Sequence, residues 1–398
     1  MLSSDSEIFV IAGLKKIKVQ TSGIFSKLSM DFLNDLSKII LKDNDARNHP
    51  EVISFGFWCR KTNIEKLSKK INNKKFHLGR GLVFHLPPSN VPINFIYSFS
   101  FGLLNGNSNI VKLPSKNFIS TGLIIQFIKK LFNKNKYKKI FQSNLFIKYD
   151  YNKKKITENL SSFADVRMIW GGDKKVQDIK LIKAKVNTVD VAFYDKYSIS
   201  VINTLKLSNL TNKEFDRISY SFFSDAFFMD QNACGSPHVI FWLGKNELIK
   251  KKFWKKVSYY ANKIYKDEDI SVIDKFYQAN TDILKSKNIS NIASYNNKMY
   301  VAKIKILPKN LNELRGKWGY FYEFNLNKLN HLQNYINNKF QTLIYFGLSN
   351  EDIENFLNQN LKGIDRIVPI GQAHQISTIW DGYNLTYFLS REIDVREK

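Results

Sequence analysis

Cysteine is nearly missing from this sequence: 398 residues hold two, Cys59 and Cys234. That scarcity argues against a disulfide framework and fits a reducing compartment. Long apolar runs are missing as well. No uncharged stretch approaches the roughly 18 residues that a membrane-spanning helix needs. The opening MLSSDSEIFVIAGLKKIKVQ lacks the basic start and unbroken apolar core of a signal peptide. These absences point to a cytoplasmic chain. There is no internal repeat and no linker rich in Pro, Gly and Ser. The six histidines are dispersed, and Asp173, Asp178 and Asp381 form no spaced cluster, so no metal site is expected.

Acid is scarce relative to base. Lys and Arg number 61 against 35 Asp and Glu, a net charge of +26. Lysine is interleaved with asparagine and isoleucine in runs such as INNKK and FNKNKYKK. That pattern reads as solvated faces, although its sign suits a polyanionic ligand such as a nucleotide cofactor or coenzyme A. RGG tracts, zinc-ligand spacings and RNP-type aromatic motifs are absent, so no nucleic-acid partner is expected. What remains is an ordinary globular fraction of hydrophobic residues, 43%, on a chain long enough for two or three domains.

Short β-branched or aromatic runs alternate with helical patterns, which predicts an α/β fold. The first hundred residues look helical up to Ile71, with helices over 27–43 and 63–71. Gly81–Leu86 then reads as a buried strand, 93–104 as a helix entered near Pro92, and Asn109–Leu113 as a second strand. That is a βαβ unit, and a parallel sheet follows from it. The same logic predicts a helix over 117–132, a strand at Asp165–Trp170, a tight Gly171-Gly172 turn, a helix over 173–182 and a strand at Val189–Tyr194. A second α/β lobe begins near Leu205. It has helices over 211–228, 246–265 and 271–286, strands over 238–243, 299–306 and 320–324, and a helix over 327–338. TLIYFG and RIVPIG follow as strands, with a helix over 350–358 between them.

Three features are candidates for chemistry. Cys234 sits in the polar turn DQNACGSPHVI. A thiolate there is a nucleophile, provided donors or a base lower its pKa; otherwise the residue is a small core filler. The preceding helix ends near Asp230, and a helix C-terminus does not favour ionisation. His238 is a candidate base, though as the first residue of a strand its ring points away as readily. Cys59, in GFWCRK, reads as filler. Next, Asn90 in PSNVP is a non-titrating donor just past a strand end, suited to an oxyanion hole or to a simple helix cap. Last come the turns Asn105–Asn107 and Gly171-Gly172, with Lys112. Glycine turns between strand and helix are where nucleotide phosphates bind, but no G-x-G-x-x-G follows any strand.

Together these residues resemble a known pattern. HLPPSNVPINFIYSFSFGLLNGNSNIVKLPSK is similar to the P-x-N-x-P … G-N-x-x-V-x-K-P segment of the aldehyde dehydrogenase superfamily. Within it, PSNVP, GLLNGNSNIVKLPSK, WGGD, DQNACGSPH, DRIVPIGQ and WDGYNLTYFLSR resemble the acyl-CoA or long-chain acyl-thioester reductase family, the type found as the reductase subunit of bioluminescence fatty acid reductase. The motifs run in order from Phe76 to Arg391.

The resemblance implies an aldehyde dehydrogenase-like fold of two parallel-sheet lobes. Residues 1–75 are the N-terminal helical part of the cofactor lobe and 76–205 its nucleotide-binding domain. Residues 206–345 are the catalytic domain, and 346–398 return to the cofactor lobe. It implies Cys234 as nucleophile, with the Asn90 side chain and the Cys234 N–H as oxyanion donors. It further implies cofactor contacts from Lys112, Gly171, Gly172 and Glu323. Ser115 stands where NAD-preferring relatives often carry an acid, and Lys116 is basic, so NADPH (NADP) is the expected cofactor. One departure is informative. Aldehyde oxidisers carry E-L-G-G about thirty residues before the cysteine, as the base that hydrolyses the acyl-enzyme. Here the region reads VDVAFYDKYSISVINTL. The expected reaction is therefore reduction of an acyl thioester to an aldehyde, the donor presented by an acyl-protein synthetase or an acyl carrier protein, in a chain able to form a homo-oligomer. The alternatives are an oxidising NAD(P)-dependent aldehyde dehydrogenase and a non-catalytic basic binding protein on the same scaffold.

Overall fold

The structure is a computed structural model that describes residues 7–71, 76–89, 91–285 and 287–396. The chain divides into two compact units. The first is Met1–Tyr194 with Ser377–Lys398, and the second is Asp195–Ile376. The division falls ten residues earlier than the one expected near Leu205. The strand Tyr197–Asn203 pairs with the second unit's sheet, so it cannot close the first. The returning segment likewise starts at Ser377 rather than at 346, because residues 340–346 and 366–369 are strands of the second sheet.

In the first unit the strands are β1 (Phe9–Gly13), β2 (Leu82–Leu86), β3 (Ser108–Lys112), β4 (Asn144–Lys148), β5 (Val166–Trp170) and β6 (Val189–Phe193). Their spatial order is β1-β4-β3-β2-β5-β6. All neighbours are parallel except β1 against β4. The chain winds outward from β2 to β4, returns to β5 beside β2, and then runs the other way. That is a doubly wound sheet with its switch point between β2 and β5. In such sheets ligands bind outside the carboxyl ends of the two strands at the switch. The core strands are buried on both faces, as a parallel sheet requires; every residue of β2 and β5 is buried.

The helix Asn94–Leu104, NFIYSFSFGLL, is apolar on every side, and Phe95 to Leu104 are all buried. A helix hydrophobic all round belongs inside a core. It packs on a polar network beneath β2. The Nε2–H of His85 donates to Asn109 Oδ1 at 2.9 Å. Its Nδ1 lies 2.7 Å from Ser98 Oγ, which also accepts the indole N–H of Trp170 at 3.1 Å. Burial holds the His85 imidazole neutral, with its pKa lowered to about 4.

The second unit contains β7 (Tyr197–Asn203), β8 (Pro237–Leu243), β9 (Ile289–Tyr295), β10 (Met299–Ile304), β11 (Tyr320–Leu326), β12 (Phe340–Phe346) and β13 (Arg366–Pro369). The order is β9-β10-β11-β8-β7-β12-β13, parallel apart from the β9–β10 hairpin. The helix Asn212–Phe227 is opened by a capping box of Thr211 and Glu214. Phe222 and Phe227 on its inner face are buried against Phe321. Residues 327–338, expected as a helix, form 3-10 turns over Leu329–Tyr335 instead.

Candidate functional site

The cysteine loop is built at the amino edge of the second sheet, between the helix Asn212–Phe227 and β8. That helix ends seven residues before Cys234. The chain then turns through Asp230 and Gln231, both left-handed at φ 54° and 57°. Cys234 is therefore not on the helix C-terminus, as the sequence suggested. Gln231, fully buried, fixes the loop. Its Nε2 donates to the Pro237 and Tyr320 carbonyls, each at 2.9 Å, and its Oε1 accepts from the Gly319 N–H at 3.0 Å. One side chain thus ties the loop to the starts of β8 and β11.

Cys234 itself is half-buried and in no disulfide. Its carbonyl accepts from Ser198 Oγ of β7 at 2.5 Å, and the same Oγ accepts from the Thr342 N–H of β12 at 3.2 Å. The peptide after the nucleophile candidate is therefore anchored to the sheet. Gly235 allows a close approach from the other side, since a Cβ there would stand 2.9 Å from the Ala373 carbonyl oxygen.

The loop 371–375 that supplies Ala373 is held from below. Asp225 is buried, and its carboxylate accepts from the Gly371 N–H at 2.6 Å and the Ala373 N–H at 3.1 Å. His374 Nε2–H donates to the Asp225 carbonyl at 2.8 Å. Arg366 donates to the carbonyls of Ala373, Gln372 and Gln375 at 3.0, 3.3 and 3.0 Å. Burial pushes the Asp225 carboxyl up to about 7 in spite of the two N–H donors and the Arg366 charge. The same desolvation holds His374 down at about 4.

His238 does not serve as a poised base. It is buried, stacks on Tyr197 with ring centroids 5.0 Å apart, and donates from Nδ1 to the Gly316 carbonyl at 3.0 Å. Desolvation and the nearby Arg315 lower its pKa to about 3. Cys59 is fully buried, and its thiol is pushed well above its usual range. Glu323 lies in β11, where its carboxylate accepts the indole N–H groups of Trp242 and Trp254, each at 2.8 Å.

The remaining candidates belong to the first unit. Gly171 follows β5 with φ +156°, a conformation that glycine adopts without strain. Gly172 caps the helix Asp173–Lys180 without any side-chain bond, and a Cβ added there would meet open space. Lys112 closes β3, half-buried, with its ammonium 4.1 Å above the Tyr149 ring; burial lowers its pKa. Ser115 and Lys116 are exposed just beyond it. Lys112, Gly171 and Gly172 therefore share the carboxyl edge of the sheet, the edge where a doubly wound fold binds nucleotides. Asn90 lies outside the described residues.

The turn Asn105–Asn107 falls on the opposite edge. It precedes β3, and Asn107 accepts from the Gly81 N–H at 3.1 Å and donates to the Leu389 carbonyl at 2.8 Å. It is a structural clasp and not a phosphate turn. Sequence reasoning passed over Lys175, Ser198, Gln231, Asp225 and Arg366. Of these, Gln231 falls within DQNACGSPH and Arg366 within DRIVPIGQ, two of the motifs singled out in the sequence.

An open, glycine-turned carboxyl edge in one unit and an anchored cysteine loop in the other define a protein of aldehyde dehydrogenase fold. Solved structures of that class agree. A lactaldehyde dehydrogenase is similar at TM-score 0.64 and 8% identity, over 93% of this chain and 86% of that one. Aldehyde dehydrogenase 21 from Physcomitrella patens gives 0.63 and 9%, over 92% and 84%. A benzaldehyde dehydrogenase from Corynebacterium glutamicum gives 0.60 and 11%, over 92% and 84%. The family is narrower than the fold: a sequence profile described as "Acyl-CoA reductase (LuxC)" matches residues 61–282, more than half of the chain, and the chain belongs to that family of oxidoreductases. A long-chain acyl-protein thioester reductase from Aliivibrio fischeri is 26% identical over 186 residues, which is 46% of this chain and 36% of that protein. The match thus spans about a third of that relative.

Among the described residues, no helix is long and apolar enough to cross a membrane. Among the same residues, no cluster of His, Cys, Asp and Glu could hold a metal ion.

Proposed function

We infer that the protein reduces an acyl thioester to an aldehyde through a thioacyl intermediate on Cys234, with NADPH as reductant. The observation that supports this most directly is the loop around Cys234. It places a half-buried thiol on a rigid edge, with its own carbonyl tied back by Ser198. Sγ attacks the thioester carbonyl carbon, and the oxyanion that forms is met by the Cys234 N–H and, by family resemblance, the Asn90 side chain. The bond to the donor sulfur then breaks, and the donor leaves as a thiolate that takes a proton from solvent. A bound nicotinamide would supply a hydride to the carbonyl carbon of the thioacyl group held on Cys234. Collapse of the resulting hemithioacetal breaks the bond to Sγ, frees the aldehyde and returns the thiolate.

The stretch that carries the hydrolytic glutamate in aldehyde oxidisers offers no replacement here. Its two carboxylates are both engaged by arginines. Asp190 takes a two-pronged pair from Arg167, each contact 2.6 Å, and Asp195 binds Arg315 at 2.9 Å. Neither is set up to activate water, so the thioacyl group persists for reduction. The carboxyl edge of the first sheet fits a phosphate-bearing cofactor. Gly172 caps the helix Asp173–Lys180 without a side-chain bond, a helix N-terminus of the kind that receives phosphate, and the flanking side chains Lys112, Ser115 and Lys116 carry no acid that would repel a 2′-phosphate. An acyl-protein synthetase or an acyl carrier protein is the proposed donor of the acyl group, in keeping with the name of the Aliivibrio fischeri relative.

The test is Cys234→Ala assayed for NADPH consumption against acyl thioesters of graded chain length, on coenzyme A and on carrier protein, with aldehyde identified by mass. We expect loss of both signals. Full acyl-dependent oxidation of NADPH by this variant would end the mechanism.

A further inference from the structure

Lys175 is the third residue of the helix Asp173–Lys180, yet its side chain turns back across the sheet edge. A Cβ built on Gly171 would lie 2.7 Å from Lys175 Cδ, so the lysine stem runs directly over the glycine turn. Its Nζ donates to the Pro87 carbonyl at 2.8 Å. Pro87 is the first residue past β2, and Gly171 the first past β5. The lysine therefore spans the two strands that flank the switch point, with its ammonium at the mouth of the crevice.

Burial, and after it the charge of Lys112 at the end of β3, lowers the Lys175 pKa to about 8. Among the described residues, no carboxylate forms an ion pair with either ammonium. Lys112 rests on the Tyr149 ring and senses Asp150 only at a distance. Lys175 has one neutral carbonyl. Two half-buried like charges with a single acceptor between them are unfavourable until an anion enters.

We propose that Lys175, together with Lys112, binds the 2′-phosphate of the dinucleotide cofactor and is the residue by which this chain selects the phosphorylated form. The proposal rests on the cofactor reading above and adds a residue to it. The geometry gives the reason for the glycine at 171: any side chain there would displace the lysine stem. It also gives Lys175 a resting position, since the Pro87 carbonyl holds the ammonium in place before the phosphate arrives.

The experiment is direct binding without acyl donor, so that no turnover occurs. NADPH and NADH are titrated into the wild type, Lys175→Met and Lys175→Arg by fluorescence. 2′,5′-ADP and 5′-AMP, which differ only in the 2′-phosphate, are titrated by calorimetry. In Lys175→Met, affinity for NADPH and 2′,5′-ADP should fall about ten- to a hundredfold, the worth of one charged hydrogen bond. NADH and 5′-AMP should change by less than about threefold, and Lys175→Arg should restore most of the loss. An equal loss for phosphorylated and unphosphorylated ligands, or no loss at all, overturns the proposal while leaving the cofactor reading intact. A wild type that binds neither NADPH nor NADH overturns the cofactor reading, and the role of Lys175 with it.

Discussion

Asp225 shows how much one buried carboxylate can hold. It satisfies two backbone N–H groups of the loop 371–375, and that loop lies against Gly235, next to the nucleophile candidate. Removing the carboxylate leaves both donors buried without acceptors, each costing about 1–3 kcal/mol. We expect Asp225→Ala to destabilise the protein by roughly 2–4 kcal/mol in urea unfolding and to change the alkylation rate of Cys234. An unchanged alkylation rate would separate the loop from the thiol. The two cysteines themselves should differ sharply. Cys234 is half-buried, whereas Cys59 is fully buried with a raised pKa. A disulfide reagent should titrate one thiol quickly in the native protein, and the second only on unfolding. Two fast thiols would contradict the packing of Cys59.

At the scale of elements, one glycine sets a distance that no other residue tolerates. Gly102 lets the helix Asn94–Leu104 rest on the His85 network, for a Cβ there would come within 2.0 Å of Asn109 Oδ1 and 3.0 Å of His85 Nε2. Both are rigid members of a buried network, so Gly102→Ala should cost more than about 2 kcal/mol, read as a drop in the melting temperature. A neutral result would mean that the helix slides. These relations are not visible in the sequence, where Gly102 is one glycine in an apolar helix. The βαβ unit around it was legible because Leu82–Leu86 and Ser108–Lys112 are unbroken β-rich runs flanked by turn residues.

Other strands were harder to read. Tyr197–Asn203, YSISVIN, lies in the middle of the second sheet, but its serines suggest a loop; in the structure Ser198 Oγ joins the Cys234 carbonyl to β12. Asn144–Lys148 follows directly on the short helix Lys138–Ser143, with no turn residue between them to mark its start. Phe9–Gly13 is an antiparallel edge whose partner lies more than a hundred residues away. The cysteine was legible from its odd turn and its family pattern. Lys175 was not, because among 61 basic residues only the crossing from β5 to β2 sets it apart.

For the whole molecule, acid should be the weak direction. His85, His238 and His374 are buried and neutral, with pKa values lowered to about 4, 3 and 4. In the unfolded chain each protonates near its ordinary 6.5. Stability is therefore full above that value and is lost as pH falls below it, about 1.4 kcal/mol per unit for each histidine. Asp225 has the opposite sign. Its folded pKa of about 7 exceeds the unfolded one, so it gains a proton on folding and offsets one histidine between pH 7 and 4. The first unit keeps His85 alone, and the second keeps a net one of its two. Each should lose roughly 1.4 kcal/mol per pH unit between about 6.5 and 4. Urea midpoints measured at pH 7.5, 6 and 5 should fall in that order; flat midpoints would mean that the histidines are hydrated.

The first unit is discontinuous along the chain: the strand Ser390–Glu392 pairs with His77–Gly79, and the Leu389 carbonyl holds Asn107. On the ribosome this reverses the usual order of folding. The second unit is contiguous, so all of its residues leave the ribosome before residues 377–398, which complete the first. The first must keep its His77–Gly79 edge unpaired while residues 195–376 are synthesised, roughly 10–40 seconds at ordinary elongation rates. A chain ended at residue 376 and released from the ribosome should therefore show a protease-sensitive amino-terminal unit and a resistant second one.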